Sequence, residues 1–406
     1  MLDSTHLGKR LTTHYALIQC IYNMGYCCIM SFAAVFLLSR GFTNSHVGLI
    51  LTLASALALI CQPMIATFAD RTQNIALRTM VATLLLANTL IAFVLLIMPS
   101  LLLPTAILYI LLVCFHITQQ SLITSMSMEH INTGIHINFS LARGIGSFAF
   151  ALLSLAMGFL VNDYGAWIVM PITMSLGLSG ILLVSSFQKA QIHALKAEKT
   201  RSEGASSLIE FAKKNKSFIA IVGSIALMFF SHTLINTYTI QIMKHVGGTS
   251  ADMGIATAIA GFLELPAMAL FPFFLRKIRS PGTIMKLSGV FLVIKTLITL
   301  LAPNVLWINI AQCLQFFGFA MFIPSSVYYV NHVIDEVDKV KGQASMGMAL
   351  GISGMIGNVL GGLMLDTSAG VPFMLTVGMS VSCVGVVLVF LVDNIRARQK
   401  QVFNAV

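Results

Sequence analysis

Twelve apolar stretches, each about as long as a bilayer is thick, occupy most of this 406-residue chain. They run near Thr13–Leu38, Val47–Ala69, Thr79–Met98, Thr105–Met128, Ser140–Val161, Trp167–Phe187, Ser217–Met243, Met253–Leu275, Thr283–Ala302, Val305–Val330, Gln343–Leu365 and Val371–Val392. A helix that crosses a bilayer needs about 20 mostly apolar residues. Hydrocarbon offers the backbone no hydrogen-bond partner, so these stretches must satisfy their own amides and carbonyls as helices. The expectation is an all-α membrane protein with 12 transmembrane helices. Only 9% of the residues are charged, against about 25% in a soluble domain. That deficit excludes a chain of two or three water-soluble domains.

The net charge of +10 raises the question of nucleic acid, and its placement answers it. If the stretches alternate in direction, all but four of the 24 Lys and Arg fall on one side of the membrane. The exceptions are Arg40 and Lys244 on the other side, and Arg143 and Lys295 inside stretches. This is the positive-inside bias, which predicts a multi-pass protein of the cytoplasmic membrane with both termini cytoplasmic. The expected partners are the lipid bilayer and a small solute, with no nucleic acid, and a monomer is expected. The first apolar run is too long for a signal-peptide core and merges into a crossing helix. All seven cysteines lie inside apolar stretches with no metal-type spacing. They read as small packing residues. No metal site and no cofactor are expected.

One long polar segment, 188–216, divides the stretches six and six. It is read as a cytoplasmic linker between an N-terminal half, 1–187, and a C-terminal half, 217–406. The halves echo each other at a constant separation of 203 residues: Pro63 with Pro266, Gly144 with Gly347, Gly158 with Gly361 and Asp163 with Asp366. Parallel repeats of this kind recur in secondary transporters.

The loop after the second stretch reads Ala66-Thr67-Phe68-Ala69-Asp70-Arg71. It resembles the G-x-x-x-D-R/K motif of the major facilitator superfamily, with Ala66 in place of the Gly. With the six-plus-six pattern, the resemblance covers essentially the whole chain and implies the major facilitator fold, with Asp70 and Arg71 as a gating motif. Within the superfamily the chain is similar to the branch of lactose permease and the phenylpropionate permease-like proteins. The likeness rests on Glu129 ending the fourth stretch, Arg143 opening the fifth, Glu264 beside Pro266 in the eighth and Lys295 in the ninth. It implies that Glu129 and Arg143 bind solute and that Glu264 and Lys295 serve solute binding and proton coupling. The tenth stretch departs from the branch, offering Gln312 and Gln315 and no His/Glu pair.

Ionisable groups inside a crossing cost about 2.5–3.5 kcal/mol each and usually face a partner or a wet cavity. Glu264 reads either as a proton-accepting carboxylate or as a structural partner of Lys295. Arg143 reads as a fork for a carboxylate or paired hydroxyls, or as a side chain snorkelling from a helix end. Polar residues also recur at helical spacing on single faces: Gln19, Tyr22, Asn23 and Tyr26 in the first stretch; His116, Gln119, Gln120, Thr124 and Ser127 in the fourth; Ser231, His232, Asn236 and Thr239 in the seventh; Gln312 and Gln315 in the tenth. The resemblance places these four helices along a central path. Tyr22, Asn23, Tyr26, His116, Gln119, His232, Asn236, Gln312 and Gln315 are therefore candidates for solute contact, beside interhelical hydrogen bonding as the bland reading. Glycines of the eleventh stretch, from Gly347 to Gly362, predict close helix packing.

The expected function is a secondary active transporter of a small polar or anionic organic solute (sugar, glycoside, nucleoside or aromatic acid), working by proton symport. Drug or metabolite efflux by antiport is the alternative. The Gly-Pro pair that marks antiporters of the superfamily is missing from Gly144-Ile145-Gly146-Ser147-Phe148-Ala149. No H-E-x-x-H, G-x-x-x-x-G-K-S/T or G-x-S-x-G motif is found, so an enzyme is not expected.

Overall fold

The apolar stretches do fold as helices, but several of them are interrupted. A computed structural model describes residues 2–71, 75–133, 135, 137–188 and 208–404. In chain order the helices are α1 (Leu2–Tyr26), α2 (Ala33–Ser39), α3 (Asn44–Arg71), α4 (Leu77–Ile97), α5 (Leu102–Asn132), α6 (Phe139–Tyr164), α7 (Val169–Ser186), α8 (Leu208–Lys214), α9 (Lys216–Met228), α10 (Phe230–Thr237), α11 (Thr239–His245), α12 (Ser250–Ile278), α13 (Pro281–Leu300), α14 (Val305–Cys313), α15 (Phe319–Val333), α16 (Lys339–Leu365) and α17 (Gly370–Asn404). No strand occurs among the described residues. Most of the segment read as a linker lies outside them, and α8 is its described helical part.

Ten helical stretches among the described residues are long and apolar enough to cross a membrane, or 11 if the bent pair Leu7–Ser31 and Ala33–Ser39 counts as one. The expected tenth crossing is not a single helix: α14 has nine residues and α15 has 15. Large apolar side chains such as Leu59, Leu90, Leu182, Phe273 and Leu306 are exposed along the helices, as a surface that faces hydrocarbon requires.

The chain packs as two compact units, Met1–Leu195 with Gly248–Phe262, and Lys196–Gly247 with Leu263–Val406. Each has its own core. In the first, Leu11, Tyr15, Val81, Ile123 and Phe187 are buried together, with α1 against α6, α4 against α7 and α3 against α5. In the second, Phe218, Ile225, Met228, Phe229, Phe322 and Val389 form the centre, and α17 lies against α9 and α13.

Small residues set the closest approaches. A Cβ on Gly254 would stand 2.6 Å from the Gly158 Cα and the Ser154 carbonyl oxygen, and one on Gly158 would meet the Gly254 Cα at 2.7 Å. The start of α12 and the middle of α6 therefore touch backbone to backbone. The glycines of α16 divide in two. Gly357 abuts Thr233 and Gly361 abuts Tyr238 and Leu234, whereas Gly347, Gly351 and Gly354 have no neighbour within 4 Å of a would-be Cβ.

Three interruptions shape the interior. After α1 a π-turn spans Cys27–Ser31, and the chain bends by 45° into α2. The Phe32 amide donates to the Cys27 carbonyl at 3.1 Å, and the Tyr109 hydroxyl donates to the Ile29 carbonyl at 2.8 Å. Helix α10 stops at Tyr238, whose hydroxyl donates to the Asn358 carbonyl, while Thr237 donates to the Asn358 side chain at 2.7 Å. Between α14 and α15 the chain turns through Leu314–Gly318. Amides of Gln315, Phe316 and Phe317 each donate three residues back, and the Ala320 amide donates five residues back to Gln315. A Cβ on Gly318 would meet Leu292 at 2.8 Å, so glycine lets this turn lie against α13.

Replacing Gly254 by Val forces two backbones apart, and overpacking of this kind costs about 1–3 kcal/mol. Thermal unfolding of the purified protein should show a lowered midpoint for Gly254→Val. Gly354→Ala, which adds a methyl to open space, should match or exceed the parent because Ala favours helix by about 1 kcal/mol. Equal midpoints for Gly254→Val and the parent would contradict the packing described.

Candidate functional site

Lys295 is the most demanding residue to place. It sits inside α13, is 1% exposed, and a bare ammonium at that depth is strongly disfavoured. Its Nζ donates to Gln315 Oε1 at 2.9 Å, and Gln315 Nε2 donates to Glu264 Oε1 at 3.4 Å. The amide is matched in polarity at both ends, carbonyl toward the base and NH2 toward the acid. One neutral side chain thus links Lys295 to Glu264. The break at Leu314–Gly318 carries Gln315 to this position, between Glu264 of α12 and Lys295 of α13.

Other predicted residues of this unit gather nearby. The Lys295 charge acts on His232. The Asn236 amide nitrogen is 2.9 Å from His232 Nε2, and the imidazole stacks on Phe319 with centroids 5.1 Å apart and planes 11° from parallel. His232 Nδ1 and Gln312 Oε1 are buried without a protein partner. Ser231, Thr296 and Ser382 form a separate buried hydroxyl chain at 2.9 Å per link.

In the first unit Tyr22 and His116 stack with centroids 4.6 Å apart and planes 4° from parallel, and Tyr26 lies against the same imidazole at 6.3 Å. Asn23 bonds to the Gln19 carbonyl at 2.8 Å, and Gln19 Nε2 donates to the Tyr15 hydroxyl at 2.7 Å. His116 and Gln119 are buried and line an interior space with Tyr22. Arg143 is exposed near the start of α6, close enough for its charge to act on Tyr15 and Tyr22. Glu129 lines a cleft with Arg78, His130 and Phe187 near the end of α5. Asp70 and Arg71 end α3, and their side chains lie outside the described residues.

Several participants were not singled out in the sequence. Asn88, the one amide side chain in the run Val81–Ile97, lines the same interior space as His116; a lone amide there is a signal that could have been read. Phe319 looks like any apolar residue until it stacks on His232. A second group of charges ties helices together in the second unit. Lys286 pairs with Asp393 at 2.8 Å, Tyr329 donates to Asp393 at 2.8 Å, and Arg396 donates to the Val333 carbonyl at 2.8 Å. Lys214 of α8 pairs with Asp335 at 2.8 Å, which holds its ammonium above the usual lysine range.

With this geometry in hand, comparison places the chain among known proteins. No curated protein matches its sequence. Among solved structures it is similar to the nucleoside transporter NupG, with TM-score 0.72 and 16% identity over 95% of this chain and 98% of that one. A peptide transporter POT in complex with sulfate gives 0.71 and 10% over 96% and 94%. A bacterial metal transporter gives 0.65 and 12% over 95% and 98%. At such identities the likeness shows the fold. The model of the MFS_1 like family matches residues 15–375, which together with these neighbours points to a transporter and not an enzyme. The chain belongs to the MFS_1-like family, as a multi-pass membrane protein with the transporter fold of the major facilitator superfamily.

Proposed function

We propose that the chain moves a small polar or anionic organic solute (a sugar, glycoside, nucleoside or aromatic acid) across the cytoplasmic membrane by alternating access, coupled to proton symport. The observation that carries this reading is the Lys295–Gln315–Glu264 link at an interrupted helix. Non-helical backbone at membrane depth is tolerated where it serves a binding site, and intramembrane charges mark solute and proton paths. The nucleoside and peptide substrates named for similar structures agree with a polar organic solute. The likeness to the lactose permease and phenylpropionate permease branch, read from Glu129, Arg143, Glu264 and Lys295, supports symport. In this reading 1–187 and 217–406 are the two six-helix halves, joined by a cytoplasmic linker, with both termini in the cytoplasm.

The roles divide by chemistry. A proton on Glu264 removes the negative charge that the Gln315 amide faces, so the link to Lys295 loosens. Gln315 and Lys295 are then free to hold a hydroxyl or carboxylate of the solute. His232, Asn236 and Gln312 offer further polar contacts in the second unit, and Tyr22, Asn23, Tyr26, Glu129 and Arg143 offer them in the first. Asp70 and Arg71 act as a gate.

Solute-driven proton uptake into vesicles carrying the protein tests this across a panel of sugars, nucleosides and aromatic acids. A solute that drives proton uptake in the parent and not in Glu264→Gln is the expected result. Solute uptake with no proton movement, the same in both proteins, would overturn the coupling role. The link itself is tested by unfolding free energies of Lys295→Met, Glu264→Gln and the double variant. Leaving a hydrogen-bonded partner unmatched costs about 1–3 kcal/mol, and the double variant should cost less than the sum of the singles by about 1 kcal/mol or more. Simple additivity would contradict the link.

A further inference from the structure

The turn that joins α12 to α13 carries an exposed group of cations with no acid to meet them. Arg276 and Lys277 lie in the last turn of α12, a helix long and apolar enough to cross a membrane, and Arg279 follows its end. All three are exposed. The ion pairs found among the described residues engage Lys214, Lys286, Lys339 and Lys341, and none of these three bases. Asp393, whose Oδ2 a Cβ on Gly282 would meet at 3.5 Å, is already held by Lys286 and by the Tyr329 hydroxyl, each at 2.8 Å. Arg279 is also the one non-glycine residue with positive φ among the described residues, at 59°. Its amide donates to the Leu275 carbonyl at 2.8 Å, a helix ending that glycine fills most readily. The helix dipole favours cations in a last turn. That accounts for Arg276 and Lys277, and not for an arginine held in the left-handed region.

Apolar surface adjoins the charges. Phe273 is 60% exposed and Leu270 46%. Spacings of three and four residues put Leu270, Phe273, Arg276 and Lys277 on one face of α12. That face passes from exposed apolar side chains to bases within one helical turn, about 5.4 Å, as at the level where a crossing helix meets the lipid headgroups. We propose that this end of α12 is a docking site for an anionic phospholipid, with its acyl chains along Leu270 and Phe273 and its phosphate held by Arg276, Lys277 and Arg279. Guanidinium forks can take two phosphate oxygens at once, and the lysine adds a point charge. A zwitterionic lipid brings its own cation to the same place and gains less from three bases. The site lies wholly within the second unit, and its case depends neither on which solute is moved nor on what drives it.

Native mass spectrometry of the full chain in detergent, titrated with phosphatidylglycerol and with phosphatidylcholine, tests this. The parent should retain phosphatidylglycerol in preference. A base near anionic lipid contributes about fivefold, so Arg276→Gln/Arg279→Gly should lower that preference by about thirtyfold. Lys213→Gln/Lys216→Gln, which removes the same charge from exposed positions of α8 and α9, should keep it. Equal retention of the two lipids by the parent overturns the proposal. An equal fall in both variants does so too, since it would show attraction to net charge alone. Displacement of the bound lipid by glycerol 3-phosphate at the same concentration would show a site for soluble phosphate, and also overturns it. Glycine suits the backbone at 279, so the turn should survive the substitution. If the double variant does not fold, Lys277→Gln decides, with an expected fall of about fivefold and an unchanged preference as the contrary result. Transport need not be measured, so failure here is distinct from failure of the proposed symport.

Discussion

Hydrocarbon offers a backbone amide or carbonyl no partner, and an unmatched one costs several kcal/mol. The apolar stretches are mainly helical for that reason, and each place where a helix stops must be answered locally. The Ile29 carbonyl within the π-turn accepts from the Tyr109 hydroxyl. The end of α10 is held by Tyr238 and Thr237 against Asn358. The turn between α14 and α15 closes its own bonds by tightening to three-residue and then widening to five-residue spacing. These interruptions carry or adjoin the polar residues that an uninterrupted apolar helix would not need.

The same solvent argument governs the charges. Lys295 is tolerated at depth because a neutral amide carries its influence to Glu264 with matched polarity at both ends. A direct pair would hold tighter but would be harder to open. Elsewhere in the second unit charges pair directly, as Lys286 does with Asp393 and Lys214 with Asp335.

Much of this was legible in the sequence, because membrane crossing writes itself in composition. The positions of the apolar stretches, the acid in α12, the base in α13 and the polar faces of α1, α5 and α10 all follow from length and spacing. The interruptions were not legible. Leu314–Gly318 has the composition of the helices around it, and its turn depends on Gly318 lying against Leu292, a long-range contact. The role of Gln315 was hidden for the same reason, since only the turn sets it between Glu264 and Lys295. Asn88 was visible as a lone amide in an apolar run but meant nothing until α4 was packed beside His116. The uneven neighbours of the α16 glycines likewise depend on which helix each one meets, which spacing does not encode.

The central claim is that one amide at a helix break couples the buried base of α13 to the half-buried acid of α12. Its most direct test is the ratio of protons to solute moved by Gln315→Leu vesicles, with both fluxes recorded in the same preparation. The account predicts that solute still crosses while the protons moved per solute fall below the parent ratio. An unchanged ratio in Gln315→Leu would show that Lys295 and Glu264 communicate without the amide, and would contradict the account.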